Sequence, residues 1–431
     1  MKLKQAILAG IATGALMLSG CGISQSAVPA VATTTTAATT ATTTANTTVA
    51  TTTTTTTPPT QVPTTAAHHA TSAQDMLDNM TLEQKIGQLF IIRPESLCTN
   101  LTSDQINNAS DYGVTELTKA MKTQLAKYPV GGVALFGKNI SSASQLPTFI
   151  ADMQTASRIP LFVSVDEEGG LVSRVANSGY FDVPTYDSMG AIGDTGDTAN
   201  AKAVGKTIGG YLRPLGFNLD FAPDADTNTN PNNVIIGTRS FGDDPTLVGK
   251  MVCAQLDGMH ESGVMGCIKH FPGHGDTTAD THSGYVKVEK TWSQLKSCDL
   301  VPFIAALNKT DMVMAAHITA VNVTSDGLPS SLSREMITDK LRGELGYDGV
   351  VITDSMSMGA IVQDYSPAEA AVKAINAGVD IILMPQDLAK AYNGILNAVN
   401  NGNISTDRID QSVLRILQLK IKYGVVDPEQ F

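Results

Sequence analysis

Val264-Met265-Gly266-Cys267-Ile268-Lys269-His270-Phe271-Pro272-Gly273-His274-Gly275-Asp276-Thr277-Thr278-Ala279-Asp280-Thr281-His282 begins as an apolar run and ends as a loop broken by glycine and proline. An apolar run without polar alternation is what a strand buried on both faces requires, and helix-covered parallel sheets are where such strands occur. The segment beyond Ile268 carries three of the chain's seven histidines together with two aspartates. That density of titratable groups, placed just past a strand end, marks a chemical site rather than a packing segment.

Outward from this segment, apolar runs recur at residues 89–92, 132–136, 161–165, 219–222, 312–316, 350–353 and 379–384, which with 264–268 makes eight candidate strands. Between them lie stretches with helical spacing at 143–157, 199–215, 245–262, 292–308, 333–345, 367–377 and 386–400, and 406–423 closes the chain. This alternation predicts a parallel sheet covered by helices, and a count of eight favours a closed (β/α)8 barrel of the TIM type over an open doubly wound sheet. No Gly-x-Gly-x-x-Gly turn follows the first strand, which counts against dinucleotide binding. Thr81, with Glu83 in the following turn, reads as the cap of a helix that opens the folded part.

Three segments are expected. Lys2 and Lys4, an apolar stretch over 6–18 and the ending Leu18-Ser19-Gly20-Cys21 read as a secretory leader of residues 1–21, too short for a membrane span. The ending resembles a bacterial lipoprotein box, which implies cleavage before Cys21, lipid on its sulfur and anchoring at the extracytoplasmic face of a membrane, each buried methylene contributing about 0.8 kcal/mol. Residues 22–74 are rich in Thr, Ala and Pro, and no Lys, Arg, Asp or Glu occurs between Lys4 and Asp75. Such a segment buries too little apolar surface to offset its conformational entropy, so a disordered stalk is expected, spanning on the order of 40 Å. Residues 75–431 are enough for one large α/β domain.

The formal charge of −12, with no basic run, excludes nucleic acid as an expected partner. Cys98, Cys253, Cys267 and Cys298 leave three complete disulfide pairings open, and Cys267 inside an apolar strand reads as packing. No Cys-x-x-Cys spacing occurs, and the His270-x-x-x-His274 pair, interrupted by Pro272 and Gly273, is not read as a metal site.

In a barrel, residues just beyond the C-terminal strand ends share one pocket. In chain order those positions hold Asp166, Glu167 and Glu168, then Asp224 and Asp226, Lys269 and His270, His317, and Asp354. Asp354 could attack an electrophilic carbon, although an aspartate there would also suit a helix cap. His282 can give and take a proton near neutrality, and Asp280 two residues earlier would orient its ring; His274 lacks such a carboxylate. Lys269, His270, Arg174 and Arg239 would offer donors to a polyhydroxyl ligand, and Asp166 would accept from its hydroxyls. For Arg239 the alternative is a surface ion pair with Asp243 or Asp244.

These residues resemble the bacterial β-N-acetylglucosaminidases of glycoside hydrolase family three. The matching motifs are the opening 80–88, Val165-Asp166-Glu167-Glu168-Gly169-Gly170 with Arg174, Phe221-Ala222-Pro223-Asp224-Ala225-Asp226, Ile236-Gly237-Thr238-Arg239-Ser240-Phe241-Gly242, the 269–282 loop, and Val351-Ile352-Thr353-Asp354-Ser355-Met356-Ser357-Met358. The resemblance implies a retaining hydrolase with Asp354 as nucleophile and His282, assisted by Asp280, as acid/base. It further implies that Asp166, Arg174, Arg239, Lys269 and His270 bind a terminal N-acetylglucosamine, on cell-wall fragments or related glycans, with no metal or organic cofactor. Most retaining glycosidases use a second carboxyl group, and an imidazole avoids placing another anion beside the nucleophile. Relatives with a second domain draw a glutamate acid/base from it, and a chain ending at Phe431 leads us to expect the acid/base within the barrel. Leu171 and Ser355 depart from the family's commonest pattern. A glycoside phosphorylase on the same scaffold, or a silent wall-binding lipoprotein that keeps only the pocket, would be the alternatives.

Overall fold

The computed structural model describes residues 70–108, 113–277, 280–281 and 284–430. The expected leader, the expected lipidation site Cys21, most of the expected stalk and His282 lie outside the described residues. Ala70 is already buried, and Ser72 caps a helix at Ala73–Asp78 by accepting from the Asp75 amide, so the folded part reaches a few residues ahead of the expected boundary at 75. Thr81 caps the next helix, Leu82–Gln88, and its partner in a reciprocal capping box is Gln84.

Eight parallel strands follow in chain order: β1 (Phe90–Ile92), β2 (Gly132–Ala134), β3 (Phe162–Val165), β4 (Leu219–Asp220), β5 (Met265–Phe271), β6 (Met312–Ala315), β7 (Val350–Thr353) and β8 (Ile382–Leu383). Each pairs with its sequence neighbour from β1 to β7, and β8 returns to β1 with Phe90 opposite Ile382. The remaining seam is joined by a bridge between Ile352 and Ile381, where the Thr353 amide donates to the Ile381 carbonyl at 3.0 Å and the Ile381 amide to the Val351 carbonyl at 3.0 Å. The result is the α/β barrel expected from the alternation. Every residue of the eight strands is buried, as a sheet filled inside and covered outside demands.

Helices lie between consecutive strands. Thr198–Leu215 and Pro245–Glu261 pack closest, because each lacks a side chain at the crossing: a Cβ on Gly205 would stand 2.1 Å from the Gln255 carbonyl oxygen, and one on Gly258 2.1 Å from that of Lys202. The expected helix over 292–308 is two short ones, Trp292–Ser297 and Val301–Ala306, separated at Cys298–Leu300 where Pro302 starts the second. A helix at Lys119–Lys127, between β1 and β2, was not legible, since only Met121 and Leu125 of it are buried. All four described cysteines are free thiols, with Cys267 fully buried in β5. Among the described residues no helix is long and apolar enough to cross a membrane.

Candidate active site

All eight strands deliver a residue to one cavity of about 660 Å³: Arg93, Phe136, Asp166, Phe221, Lys269, Met314, Asp354 and Met384 all line it. A cavity of this size suits a ligand of one to two sugar rings more than a single small ion.

Its polar wall is a lattice of buried charges. Lys269 Nζ reaches Asp166 Oδ1 at 2.8 Å and Glu168 Oε1 at 2.6 Å. Arg239 grips Glu168 with two parallel bonds, Nε to Oε2 at 2.8 Å and Nη2 to Oε1 at 2.7 Å, while Asp244 instead caps its helix through the Thr246 amide at 2.9 Å. The surface ion pair that could have explained Arg239 is therefore not made. Burial pushes the Asp166 and Glu168 carboxyls up, but the neighbouring Lys269, Arg174 and Arg239 charges outweigh it and hold both below the usual range. Burial likewise would strip Lys269 of its proton, and the two carboxylates reverse that. Removing one member of such a set leaves a buried unpaired charge, at a cost of about 3–5 kcal/mol.

Arg174 Nη2 stands 3.6 Å from Asp166 Oδ2, and its guanidinium lies 5.7 Å from the centre of the Phe136 ring. Its placement depends on Glu167. That carboxylate faces away from the cavity and accepts from the amides of Arg174, Val175 and Ala176 at 2.6, 2.8 and 2.9 Å and from the Tyr211 hydroxyl at 2.8 Å. Glu167 thus builds the turn that carries Arg174.

His270 differs from its expected role. Its Nδ1 lies 2.7 Å from Asp226 Oδ2, and its Nε2 lies 3.4 Å from Arg239 Nη2, which can only donate. Nδ1 therefore carries the proton and Nε2 turns its lone pair to Arg239, so the ring accepts there rather than donating. Burial, with Arg239 adding to it, pushes the imidazole down to about 4, which keeps it neutral. Asp226 also receives the amides of His270 and His274 at 3.3 and 2.6 Å, and Gly273 between them, at φ 122°, occupies a conformation that a side chain would strain. Asp224 receives the Asp226 amide at 2.9 Å, and burial beside Asp226 pushes its carboxyl well above the usual range. Ligand atoms of Asp224, Asp226 and His270 lie within 4.8 Å of one another, as a cation would need. The positive charge among them is Arg239, whose Nε is 3.7 Å from Asp224 Oδ2.

Asp354 continues β7, its amide donating to the Ala315 carbonyl at 2.9 Å, and its Oδ1 receives the Ser355 amide at 2.6 Å. The carboxylate is half-buried and lines the cavity. Asp280 is half-exposed, and Thr281 beside it also lines the cavity. The Thr281 carbonyl accepts from the Ala360 amide at 3.2 Å, which ties this end of the loop to the segment following Asp354.

The cavity therefore collects Asp166, Arg174, Arg239, Lys269, His270 and Asp354. Three further lining residues were not singled out from the sequence. Arg93 follows β1, donating from Nη1 to Asn107 Oδ1 at 2.9 Å and Ser357 Oγ at 3.0 Å, and its buried Nε meets no acceptor among the described residues. Phe136 follows β2 and lies under both Arg93 and Arg174. Met384 follows β8 at φ 46°, a strained conformation of the kind that clusters at functional sites. The strand-end rule that found Asp166 and Asp354 would have found all three, had it been applied to β1, β2 and β8.

The model of the glycosyl hydrolase family 3 N terminal domain matches residues 81–419. The chain is similar to beta-hexosaminidase A of Pseudoalteromonas piscicida, 32% identical over 82% of this chain and 63% of that protein. It is also similar to the beta-hexosaminidase of Tolumonas auensis, 35% identical over 65% of this chain and 83% of that one. Among solved structures, a glycoside hydrolase family 3 beta-N-acetylglucosaminidase from Paenibacillus sp. str. FPU-7 superposes with a TM-score of 0.73 at 36% identity, over 80% of this chain and 63% of the other. The chain thus spans just under two thirds of the first curated relative and of that structure.

Proposed function

The chain belongs to glycosyl hydrolase family 3 and is by family a glycoside hydrolase, and from that premise we propose that it is a retaining exo-β-N-acetylhexosaminidase acting through a glycosyl-aspartate. The observation that carries the reading is the half-buried Asp354 carboxylate opening into the same cavity as the Asp166, Lys269, Glu168 and Arg239 lattice. The lattice orients a sugar by its hydroxyls, with Asp166 accepting and Lys269, Arg174 and Arg93 donating. This fixes the anomeric carbon relative to Asp354.

An Asp354 oxygen bonds to the anomeric carbon as the glycosidic bond breaks, and the departing oxygen takes the proton of the His282 imidazolium. Water then adds to the same carbon, His282 takes its proton back, and the carbon–aspartate bond breaks to release the sugar with its configuration retained. Asp280, two residues before His282, supplies the negative charge that orients the ring and raises its basicity. Both relatives reported above are beta-hexosaminidases by name, which supports N-acetylhexosamine as the sugar. The leader and its Leu-Ser-Gly-Cys ending support an exported, lipid-anchored enzyme whose substrates are N-acetylglucosamine-containing fragments of the cell wall.

Steady-state turnover of an aryl β-N-acetylglucosaminide tests the assignment. Asp354→Ala is expected to lower kcat by about 10⁴-fold or more, and His282→Ala to slow deglycosylation by about 10²–10⁴-fold. Free N-acetylglucosamine, formed at the same rate with and without phosphate, is the expected product. Full activity in either variant removes that residue's role, and a sugar 1-phosphate product replaces hydrolysis by phosphorolysis.

A further inference from the structure

His317 stands just beyond β6 and is fully buried, and nothing in the proposed chemistry uses it. Its Nε2 lies 2.9 Å from the Ser355 carbonyl oxygen and its Nδ1 2.8 Å from the Ser331 hydroxyl. A carbonyl oxygen can only accept, so Nε2 carries a proton, and in the neutral ring Nδ1 accepts from Ser331, which can also donate. The Ser331 amide is fixed in turn on the Ala316 carbonyl at 3.1 Å. Ser355 is the residue whose amide holds Asp354 Oδ1 at 2.6 Å. Its carbonyl also accepts from the Met358 amide at 3.1 Å, and its hydroxyl lies 2.9 Å from Ser357 Oγ, which Arg93 contacts at 3.0 Å.

We propose that His317 is a positioning residue: by clamping Ser355 from the neighbouring strand end, it fixes the peptide N–H that sets the orientation of the Asp354 carboxylate toward the reacting carbon. The role is specific to the donor at Nε2. The backbone on either side is anchored already, the Asp354 amide on the Ala315 carbonyl and the Met356 amide on the Leu383 carbonyl, both at 2.9 Å, and the Nε2 bond adds a side-chain anchor on the Ser355 carbonyl between them. Misplacing a reacting group by about 1 Å costs on the order of 100-fold in rate. The inference rests on Asp354 being the nucleophile.

The test compares His317→Leu, which keeps the volume and removes the donor, with His317→Gln, whose Nε2–H can occupy the place of the imidazole Nε2. His317→Leu is expected to lower kcat for an aryl β-N-acetylglucosaminide by about 100-fold with KM within about 3-fold of wild type, and His317→Gln to recover to within about 10-fold of wild type. Ser331→Ala removes only the hydroxyl that holds the ring at Nδ1 and is expected to lower kcat by about 10-fold at constant KM, so the proposal remains testable should His317→Leu fail to fold. Wild-type kcat in Ser331→Ala and folded His317→Leu, or a His317→Gln enzyme as slow as His317→Leu, overturns the proposal. Asp354→Ala is assayed in parallel: activity there overturns the nucleophile assignment itself, whereas an inactive Asp354→Ala beside a fast His317→Leu overturns the clamp alone.

Discussion

At the scale of single residues, the cavity shows how tertiary contacts redefine a side chain's chemistry. His270 was expected to donate because it stands at a strand tip, yet Asp226 at 2.7 Å takes its only proton and leaves Nε2 as an acceptor. Arg93 is marked in the sequence by its place at the end of β1 alone. What gives it meaning is Asn107 and Ser357, one of them 264 positions away in the chain. Burial pushes the Arg93 guanidinium down, but the Glu95 and Asp166 charges oppose that, and its buried Nε meets no acceptor among the described residues. A hydrogen bond to a charged group contributes about 1.5–3 kcal/mol, so Arg93→Ala is expected to lower kcat/KM by roughly 10–100-fold. Arg93→Lys should recover little, since an ammonium cannot reproduce the planar fork that spans Asn107 and Ser357. A kcat/KM within about 3-fold of wild type in either variant removes Arg93 from substrate binding.

At the scale of elements, apolar periodicity located every barrel strand and most helices, and it failed where burial is thin or the backbone is interrupted. Lys119–Lys127 hides its two buried residues among charged ones, and Cys298–Leu300 interrupts the stretch at 292–308, whereas the stretch at 333–345 is a helix as expected, wound over 335–344 as a π-helix. The last helix, Thr406–Lys422, carries a buried lysine that no pattern would assign to a core. Lys420 Nζ donates to Gln88 Oε1 at 2.7 Å and to the Pro160 carbonyl at 2.6 Å, so helix, β1 and β3 approaches are pinned by one ammonium among neutral acceptors. Burial pushes it down to about 7. An unfolded lysine keeps its proton to about 10.4, so between these values the unfolded chain binds more protons and stability rises with pH. Lys420→Met lacks this linkage. The difference in unfolding free energy between wild type and Lys420→Met, read from urea titrations at pH 7 and pH 10, is expected to shift in favour of wild type at the higher pH. Equal differences at the two pH values would mean that Lys420 keeps its proton in the folded state.

At the scale of the whole molecule, the barrel converts a scattered sequence into one chemical surface. Residues from Arg93 to Met384 meet in a single cavity because parallel strands in sequence order bring all their C-terminal ends to the same face. This much was legible, since alternation gave the barrel and the barrel told where to look for Asp166, Lys269 and Asp354. The partners of these residues were not legible: the Glu168–Arg239 fork spans 71 positions and the Lys269–Asp166 pair 103, distances over which no local pattern operates. The account depends on Asp354 becoming covalently bonded to the sugar, and a fluorinated N-acetylglucosaminyl substrate that glycosylates quickly and hydrolyses slowly would trap that bond. Mass spectrometry of the digested protein is expected to find one sugar per chain, attached at Asp354 within the peptide containing Val350–Thr353. A label at another carboxylate, or steady turnover with no labelled species, would contradict it.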